Sequence, residues 1–512
     1  MAQRFQDKID VFFGGKSRDP RIQDSTLFDV IQHIDIFKYP KKLTPERAME
    51  DDSSAAPSTD LIQNFAYRDT NYLYGLGETS TKVKIYGKSD PISGSWAAAA
   101  SGADASGARN TLAFTMYHGV LYGLAAGSRI WAYNIDGTAF TATALNLTSY
   151  TNTCRGLVTR DDLYIQPYDN KVAVKDGAGA GVTANWTAAL LTLLDDYVIT
   201  DLCEFGDLVI LAARPKTLNQ HSKAFIWDKV NADIIDSVDF GLGTLKIIDV
   251  IDGELIGISE QYGTTGGLTP SQGTMVFRKW TSGPQANVFM EVPGDFNTTL
   301  TIYGNHVKAA DGRQIVFGAL ITIDGTAYKQ LWTVGRSQPG DPLAVLPYLL
   351  VDNDTAITSI EALFQLGTYH FVAHNADGSI NRENDSTAIG RFTGVTPLYI
   401  SQKINGEKFG TGFARLNKKL TYAGLMFEKL VSGESVSLSY KKDGDTSWTA
   451  LFTHSTAGDI SRETGTDSSG AEIDKGREYQ FKVTMAGGAR VTGIFYELEI
   501  LDGDVQESGQ KI

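Results

Sequence analysis

A short apolar run, entered through a glycine or polar turn, recurs along this chain, and its spacing narrows the possible folds more than any other feature. It reads Asn71-Tyr72-Leu73-Tyr74-Gly75-Leu76, then Gly119-Val120-Leu121-Tyr122-Gly123-Leu124, Asp161-Asp162-Leu163-Tyr164-Ile165 and Gly206-Asp207-Leu208-Val209-Ile210. Looser copies occupy residues 253–258, 312–317 and 367–372. The first core residues fall at 73, 121, 163, 208, 255, 315 and 369, so neighbouring copies lie 42 to 60 residues apart. Most copies are followed by a second run ending in an aromatic, such as Ile130-Trp131-Ala132-Tyr133 or Phe225-Ile226-Trp227. Others are preceded by a further run, such as residues 61–67 and 245–251. Three or four strands per repeat at this length describe one propeller blade.

The best-preserved copy spans residues 112–133 and reads as three short antiparallel strands joined by tight turns. A four-stranded blade is apolar on both faces and hides them only against its neighbours. A ring of blades therefore satisfies the pattern, leaving short edges. The pattern predicts an all-β protein with about seven blades between residues 59 and 405. Rings close by pairing strands from distant parts of the chain, and residues 62–67 and 398–404 are expected to share the last blade. A linear β-solenoid, the main rival, calls for shorter periods.

Residues 1–58 lack this rhythm. Phe12, Phe13, Ile31, Ile34, Ile36, Phe37 and Tyr39 are too apolar for a free tail, while Pro40, Pro45 and Pro57 interrupt regular elements. An extended N-terminal arm is expected, laid over its own domain or onto a neighbouring subunit. After residue 405 the period changes. Ser435-Val436-Ser437-Leu438-Ser439-Tyr440 alternates strictly, Asp443-Gly444 turns the chain, and Tyr479, Phe481, Val483 and Met485 alternate with polar residues. Residues 410–502 read as a small antiparallel β-sandwich, and 503–512 as a tail. Residues 455–475 carry no apolar pattern.

Several stretches resemble virion structural proteins of tailed bacteriophages. They are Phe13-Gly14-Gly15-Lys16-Ser17-Arg18-Asp19 with residues 35–43, Leu398-Tyr399-Ile400-Ser401-Gln402-Lys403-Ile404-Asn405-Gly406, and Lys418-Lys419-Leu420-Thr421-Tyr422-Ala423-Gly424 leading to Val436–Lys441 and Trp448. The layout is similar to tail and nozzle-like proteins that combine a β-propeller with a small β-sandwich. The resemblance implies a virion tail or neck protein, produced in the host cytoplasm, whose partners are other virion proteins and copies of itself. It transfers no catalytic residue.

Composition sets outer limits. The chain has 512 residues, of which 42% are hydrophobic, enough for a sizeable core. Its net charge of −14 argues against a nucleic-acid binder, which needs a basic face. Two cysteines, Cys154 and Cys203, are too few for a disulfide framework and are expected as small buried side chains. The first residues lack the apolar core of a signal peptide, and no run is long enough to span a membrane.

No motif carries chemistry, and no catalytic, cofactor or metal residue is expected. His370 and His374 are four apart, but on a strand that separation is about 13 Å and cannot serve one metal. Asp352-Asn353-Asp354-Thr355 and residues 377–381 lack the glycine and glutamate of a calcium loop and read as turns. The glycine-rich pieces 177–181 and 264–267 lie between strands and read as loops. Residues 146–151 are a candidate sugar contact. A structural role in a phage virion is therefore the leading expectation. A carbohydrate-binding or carbohydrate-cleaving propeller that recognises a host surface glycan is one alternative, and a cytosolic propeller scaffold is another.

Overall fold

The computed structural model describes residues 3–10, 12, 28–52, 61–69, 72–78, 82–90, 92–103, 113–124, 129–134, 140–177, 184–217, 220–264, 270–309, 311–323, 325–351, 357–375, 379–386, 389–392, 394–409 and 413–500. Among them the fold is all-β and propeller-like, with only short 3-10 turns at Ile389–Phe392, Glu407–Phe409 and Phe413–Arg415 besides the strands. The chain divides into two compact units. The repeat unit comprises Glu50–Leu331 and Asp354–Glu383; the terminal unit comprises Met1–Met49, Trp332–Asn353 and Asn384–Ile512.

The recurring glycine-turn runs are the second strands of successive four-stranded antiparallel sheets. The first sheet takes Leu61–Asp69, Tyr72–Glu78, Lys82–Lys88 and Ala97–Ala103; the second takes Ala113–Tyr117, Val120–Leu124, Arg129–Asn134 and Phe140–Asn146. The third takes Leu157–Val158, Leu163–Tyr168, Lys171–Asp176 and Trp186–Thr192; the fourth takes Tyr197–Phe205, Leu208–Pro215, His221–Trp227 and Asp236–Leu242. The fifth takes Thr244–Ile251, Glu254–Thr264, Pro270–Trp280 and Asn287–Phe296; the sixth takes Thr301–Lys308, Gln314–Ile323, Thr326–Gly335 and Ala344–Leu350. The seventh is Ile360–Leu366, Tyr369–His374, Ser379–Glu383 and Met49–Asp51. The turns explain why these hairpins form where they do. His118 and Gly119 have φ of 49° and 74°, and Asp252 and Gly253 have 48° and 81°. Two consecutive left-handed residues make the turn whose twist matches the strands it joins.

The first strands lie side by side. Leu61–Asp69 abuts Ala113–Tyr117, which abuts Leu157–Val158; Tyr197–Phe205, Thr244–Ile251, Thr301–Lys308 and Ile360–Leu366 adjoin in turn, and Ile360–Leu366 returns to Leu61–Asp69. Apolar clusters fill the spaces between sheets. Leu202, Leu211, Phe225 and Trp227 of the fourth sheet join Ile165, Val172 and Leu191 of the third. Ile62, Phe65, Leu73 and Tyr86 of the first sheet, with Trp96, meet Ala362, Phe371, Ala373 and Ile380 of the seventh. Between the second and third, Tyr117 stacks on Tyr164 at 5.9 Å and Tyr122 meets Trp186 edge-on at 5.5 Å. Each fully buried side chain of this size stabilises by about 1.5–3 kcal/mol.

The terminal unit has two sheets over one core. Gln3–Ile9, Val491–Ile500, Lys418–Phe427 and Ser461–Thr464 form one, in that order. Phe28–Gln32, Leu398–Ser401, Tyr479–Ala486, Ser435–Lys442 and Thr449–His454 form the other. Val436, Leu438, Tyr440, Phe481 and Val483 enter the core with Leu420, Leu425, Ile494 and Tyr496 of the opposite sheet. The strand Ser461–Thr464 lies where no apolar pattern marked one. Its residues are largely exposed, so edge pairing with Lys418–Phe427 sustains it without burial.

Three expectations change. The described parts of residues 1–58 belong to the sheets themselves: Gln3–Ile9 pairs with Val491–Ile500, Phe28–Gln32 pairs with Leu398–Ser401, and Met49–Asp51 is the fourth strand of the seventh sheet. Residues 398–404 do not close the repeats. Tyr399 is fully buried in the terminal unit, edge-on to Phe12 at 5.3 Å, and this anchors its strand there. The boundary expected near 405 therefore falls at Glu383, with residues 332–353 also in the terminal unit. The opening stretch 13–19, the loop 178–181, residues 265–267, 352–355 and 377–378, and the tail 503–512 lie outside the described residues.

One buried group of the terminal unit gives a pH-dependent prediction. His33 is fully buried, and its Nε2 accepts the Leu350 amide at 3.0 Å. Burial lowers its pKa from 6.5 to about 4. Both folded and unfolded chains carry a neutral ring above pH 6.5. As the pH falls from 6.5 towards 4, the unfolded chain takes up a proton that the folded chain refuses, so stability declines by about 3 kcal/mol. Urea unfolding of the wild type at pH 7 and 4.5 is expected to show this loss. His33→Asn, which tolerates the local φ of 54°, is expected to flatten the slope. Equal slopes in both proteins would refute the assignment.

Candidate functional site

Polar side chains converge near the first strands of the third to sixth sheets. Arg155 enters just before Leu157–Val158, Asp201 lies in Tyr197–Phe205, Asp249 in Thr244–Ile251, and His306 and Lys308 in Thr301–Lys308. The strands do not deliver these groups by simple alternation. The pairing slips between Ile199 and Asp201, between Leu245 and Ile247, and between Ile302 and His306. Each irregularity precedes a charged residue and re-aims the strand beyond it.

The groups are committed to one another. Arg155 Nε donates to Asp201 Oδ1 at 3.0 Å, and its Nη2 lies 2.8 Å from His306 Nε2. The Ile248 amide donates to Asp201 Oδ2 at 2.8 Å. His306 Nδ1 is 3.5 Å from Asp201, its Nε2 is 3.3 Å from Asp249, and Lys308 Nζ is 3.5 Å from Asp249. Asp201 and the His306 ring are buried, whereas Arg155 and Lys308 are about one-third exposed, at 30% and 36%. Burial raises the Asp249 carboxyl, but His306, Arg155 and Lys308 outweigh it and hold it well below the usual carboxylate range. The cluster links residues of successive sheets. Its carboxylates are already engaged and are poorly placed to serve as a free acid and base.

A second charged knot joins the seventh sheet to the first. The nearly buried Asp52 carboxylate accepts from Lys88 Nζ at 2.6 Å, Arg382 Nε at 2.9 Å and Trp96 Nε1 at 2.9 Å. Arg382 also reaches Glu50 at 2.9 Å. Lys88 is fully buried, 5.9 Å from the ring centres of both Trp96 and Phe371. Burial lowers its pKa, against the opposing pull of Asp52.

The other sequence candidates do not form a shared site. His370 and His374 are buried on one strand; His370 Nδ1 lies 2.6 Å from Glu383, and nothing gathers the two rings at one point. In the loop considered for sugars, Thr151 and Asn152 amides donate to Asp169, Leu147 is buried, and Tyr150 packs edge-on to Tyr168. Cys154 and Cys203 are free thiols, and burial pushes both pKa values well up. Among the described residues, no three His, Cys, Asp or Glu side chains are placed to hold a metal ion, and no helix is long and apolar enough to cross a membrane.

The chain matches no family model and no curated protein. Among solved structures it is similar to the WD40 β-propeller domain of Doa1, at 11% identity over 68% of this chain and 99% of that one, with a TM-score of 0.41. It is also similar to YCF48 bound to D1 peptide, at 10% identity over 66% and 94%, TM-score 0.44. A chain of the Mitotic Checkpoint Complex matches at 14% identity over 67% and 92%, TM-score 0.43.

Proposed function

We propose that the protein is a structural component of a tailed-phage virion, in the tail, neck or nozzle, acting through contacts with copies of itself and with other virion proteins. In this reading the circuit of first strands is a complete seven-bladed β-propeller, and the two sheets of the terminal unit are a β-sandwich. The observation that carries the reading is the charged cluster at Arg155, Asp201, Asp249 and His306. The polar groups of the inner strands bind each other across successive blades, which suits a rigid platform. The resemblance of residues 13–19, 35–43, 398–406, 418–424 and 436–441 with Trp448 to virion proteins supports the same role.

Light scattering and negative-stain images of the purified chain are expected to show rings or rows of fixed order, and intact particles should contain it at fixed stoichiometry. A strictly monomeric protein absent from particles would overturn the proposal. Deleting residues 1–50 does not test assembly alone, because it removes strands from both units. That deletion is expected to abolish cooperative unfolding as well as any oligomer.

A further inference from the structure

The hairpin Asp443-Gly444-Asp445-Thr446-Ser447-Trp448 belongs to none of the repeats, and it presents an indole on the terminal unit. Tyr440, Phe481 and Val483 point into the core, so alternation turns Lys441 and Lys482 to the other side of the sheet. Register brings them together: Lys441 is paired with Gln480, Lys482 with Ser439, and Tyr440 with Thr449, the residue after Trp448. Lys441 Nζ lies 5.6 Å from the Trp448 ring centre and Lys482 Nζ 5.2 Å. A groove of about 250 Å³ adjoins Lys441, lined also by Lys403, Asp443, Asp445, Glu478 and Gln480.

The charges around this groove are unequally occupied. Asp443 accepts the Arg477 and Glu478 amides at 2.7 and 3.2 Å, and Glu478 holds Lys403 at 2.6 Å. By contrast, neither the Lys441 nor the Lys482 ammonium has a carboxylate or hydrogen-bond partner among the described residues; each meets only the indole. In a chain of net charge −14, two cations set against an aromatic ring keep their hydrogen-bonding capacity for an anion. Burial also lowers the Lys482 pKa, so an incoming anion would restore what desolvation removes.

We propose that this face binds an anionic saccharide, with a sugar ring stacked on Trp448 and its carboxylate or sulfate held by Lys441 and Lys482. The indole offers a flat apolar surface for the C–H face of a pyranose, while the groove supplies the Asp445 carboxylate for hydroxyl groups. An extended polyanion such as single-stranded nucleic acid also stacks on aromatics between lysines. The strongly negative chain opposes it at long range and favours a short ligand. This inference stands apart from the virion reading, because particle stoichiometry and sugar binding are separate measurements.

Calorimetry on the full chain should compare tri-galacturonate, a sulfated disaccharide, maltotriose, inorganic sulfate and an oligo-dT. At least one acidic saccharide is expected to bind and maltotriose is not. Trp448→Ala, and separately Lys441→Gln with Lys482→Gln, should each weaken that binding about tenfold or more. Retained cooperative melting shows that the variants fold. Several results would overturn the proposal: neither acidic saccharide binding, binding unchanged in the variants, or sulfate or oligo-dT binding as tightly as the saccharide.

Discussion

Asp201→Asn is expected to destabilise the repeat unit by about 3–5 kcal/mol, the cost of removing one charge from a buried, hydrogen-bonded set. The carboxylate, 1% exposed, holds the Arg155 guanidinium, receives the Ile248 amide and sits beside the buried His306 ring. With asparagine there, the positive charge of Arg155 loses its nearest counter-charge, and one amide hydrogen bond is weakened. Two readouts check this: the denaturant midpoint of the repeat unit, and hydrogen exchange at the Ile248 amide, which should accelerate with it. A loss below about 1 kcal/mol, the scale of an exposed pair, would show that the cluster is not an energetic unit. Acid should act in the same direction. Asp249 is held well below its ordinary range, so its contribution is complete above the usual carboxylate pKa and is lost as the pH falls through the lowered value.

Asp52→Ala is expected to cost a similar amount, again about 3–5 kcal/mol, for a different reason. Its carboxylate is the shared acceptor of Lys88, Arg382 and Trp96, and thereby fixes the strand Met49–Asp51 to the seventh sheet beside the first. Truncation strands a fully buried ammonium at Lys88. Replacing the Asp52–Lys88 pair by apolar residues, Asp52→Leu with Lys88→Met, should recover part of the loss, because the fully buried ammonium is removed and Arg382 keeps Glu50, while the Trp96 indole N–H still lacks its acceptor. Thermal unfolding of the single and double variants decides the matter. A double variant no better than Asp52→Ala would mean that the lost acceptor of Arg382 and Trp96 matters here, and not the stranded ammonium.

The repeats were legible for a physical reason. A strand buried between two sheets must be apolar through most of its length, and a two-residue hairpin needs residues tolerant of positive φ. Runs such as Val120-Leu121-Tyr122-Gly123-Leu124 after His118-Gly119 meet both conditions locally. The charged cluster was not legible, although a trace of it is present: Asp201 and Asp249 are acids within largely apolar first strands that carry other polar residues as well. One acid in an apolar run does not reveal its partners. Arg155 and His306 lie 46 and 105 residues from Asp201, and only the stacking of successive sheets brings them within hydrogen-bond range. The indole and lysine face was hidden likewise, since Trp448 and Lys482 meet through strand register.

By itself the sequence determined that the chain is β throughout, that its strands come in glycine-punctuated groups, and where the second strand of each sheet begins. These properties follow from side-chain alternation and turn chemistry within a few residues. Tertiary structure alone decided which distant strand completes a sheet. Met49–Asp51 joins the seventh sheet and Leu398–Ser401 the terminal unit, the reverse of what proximity in sequence suggests. Short edge strands carry little pattern of their own. Their place is set by long-range partners, Asp52 with Lys88 and Arg382 in one case, Tyr399 with Phe12 and Phe28 in the other.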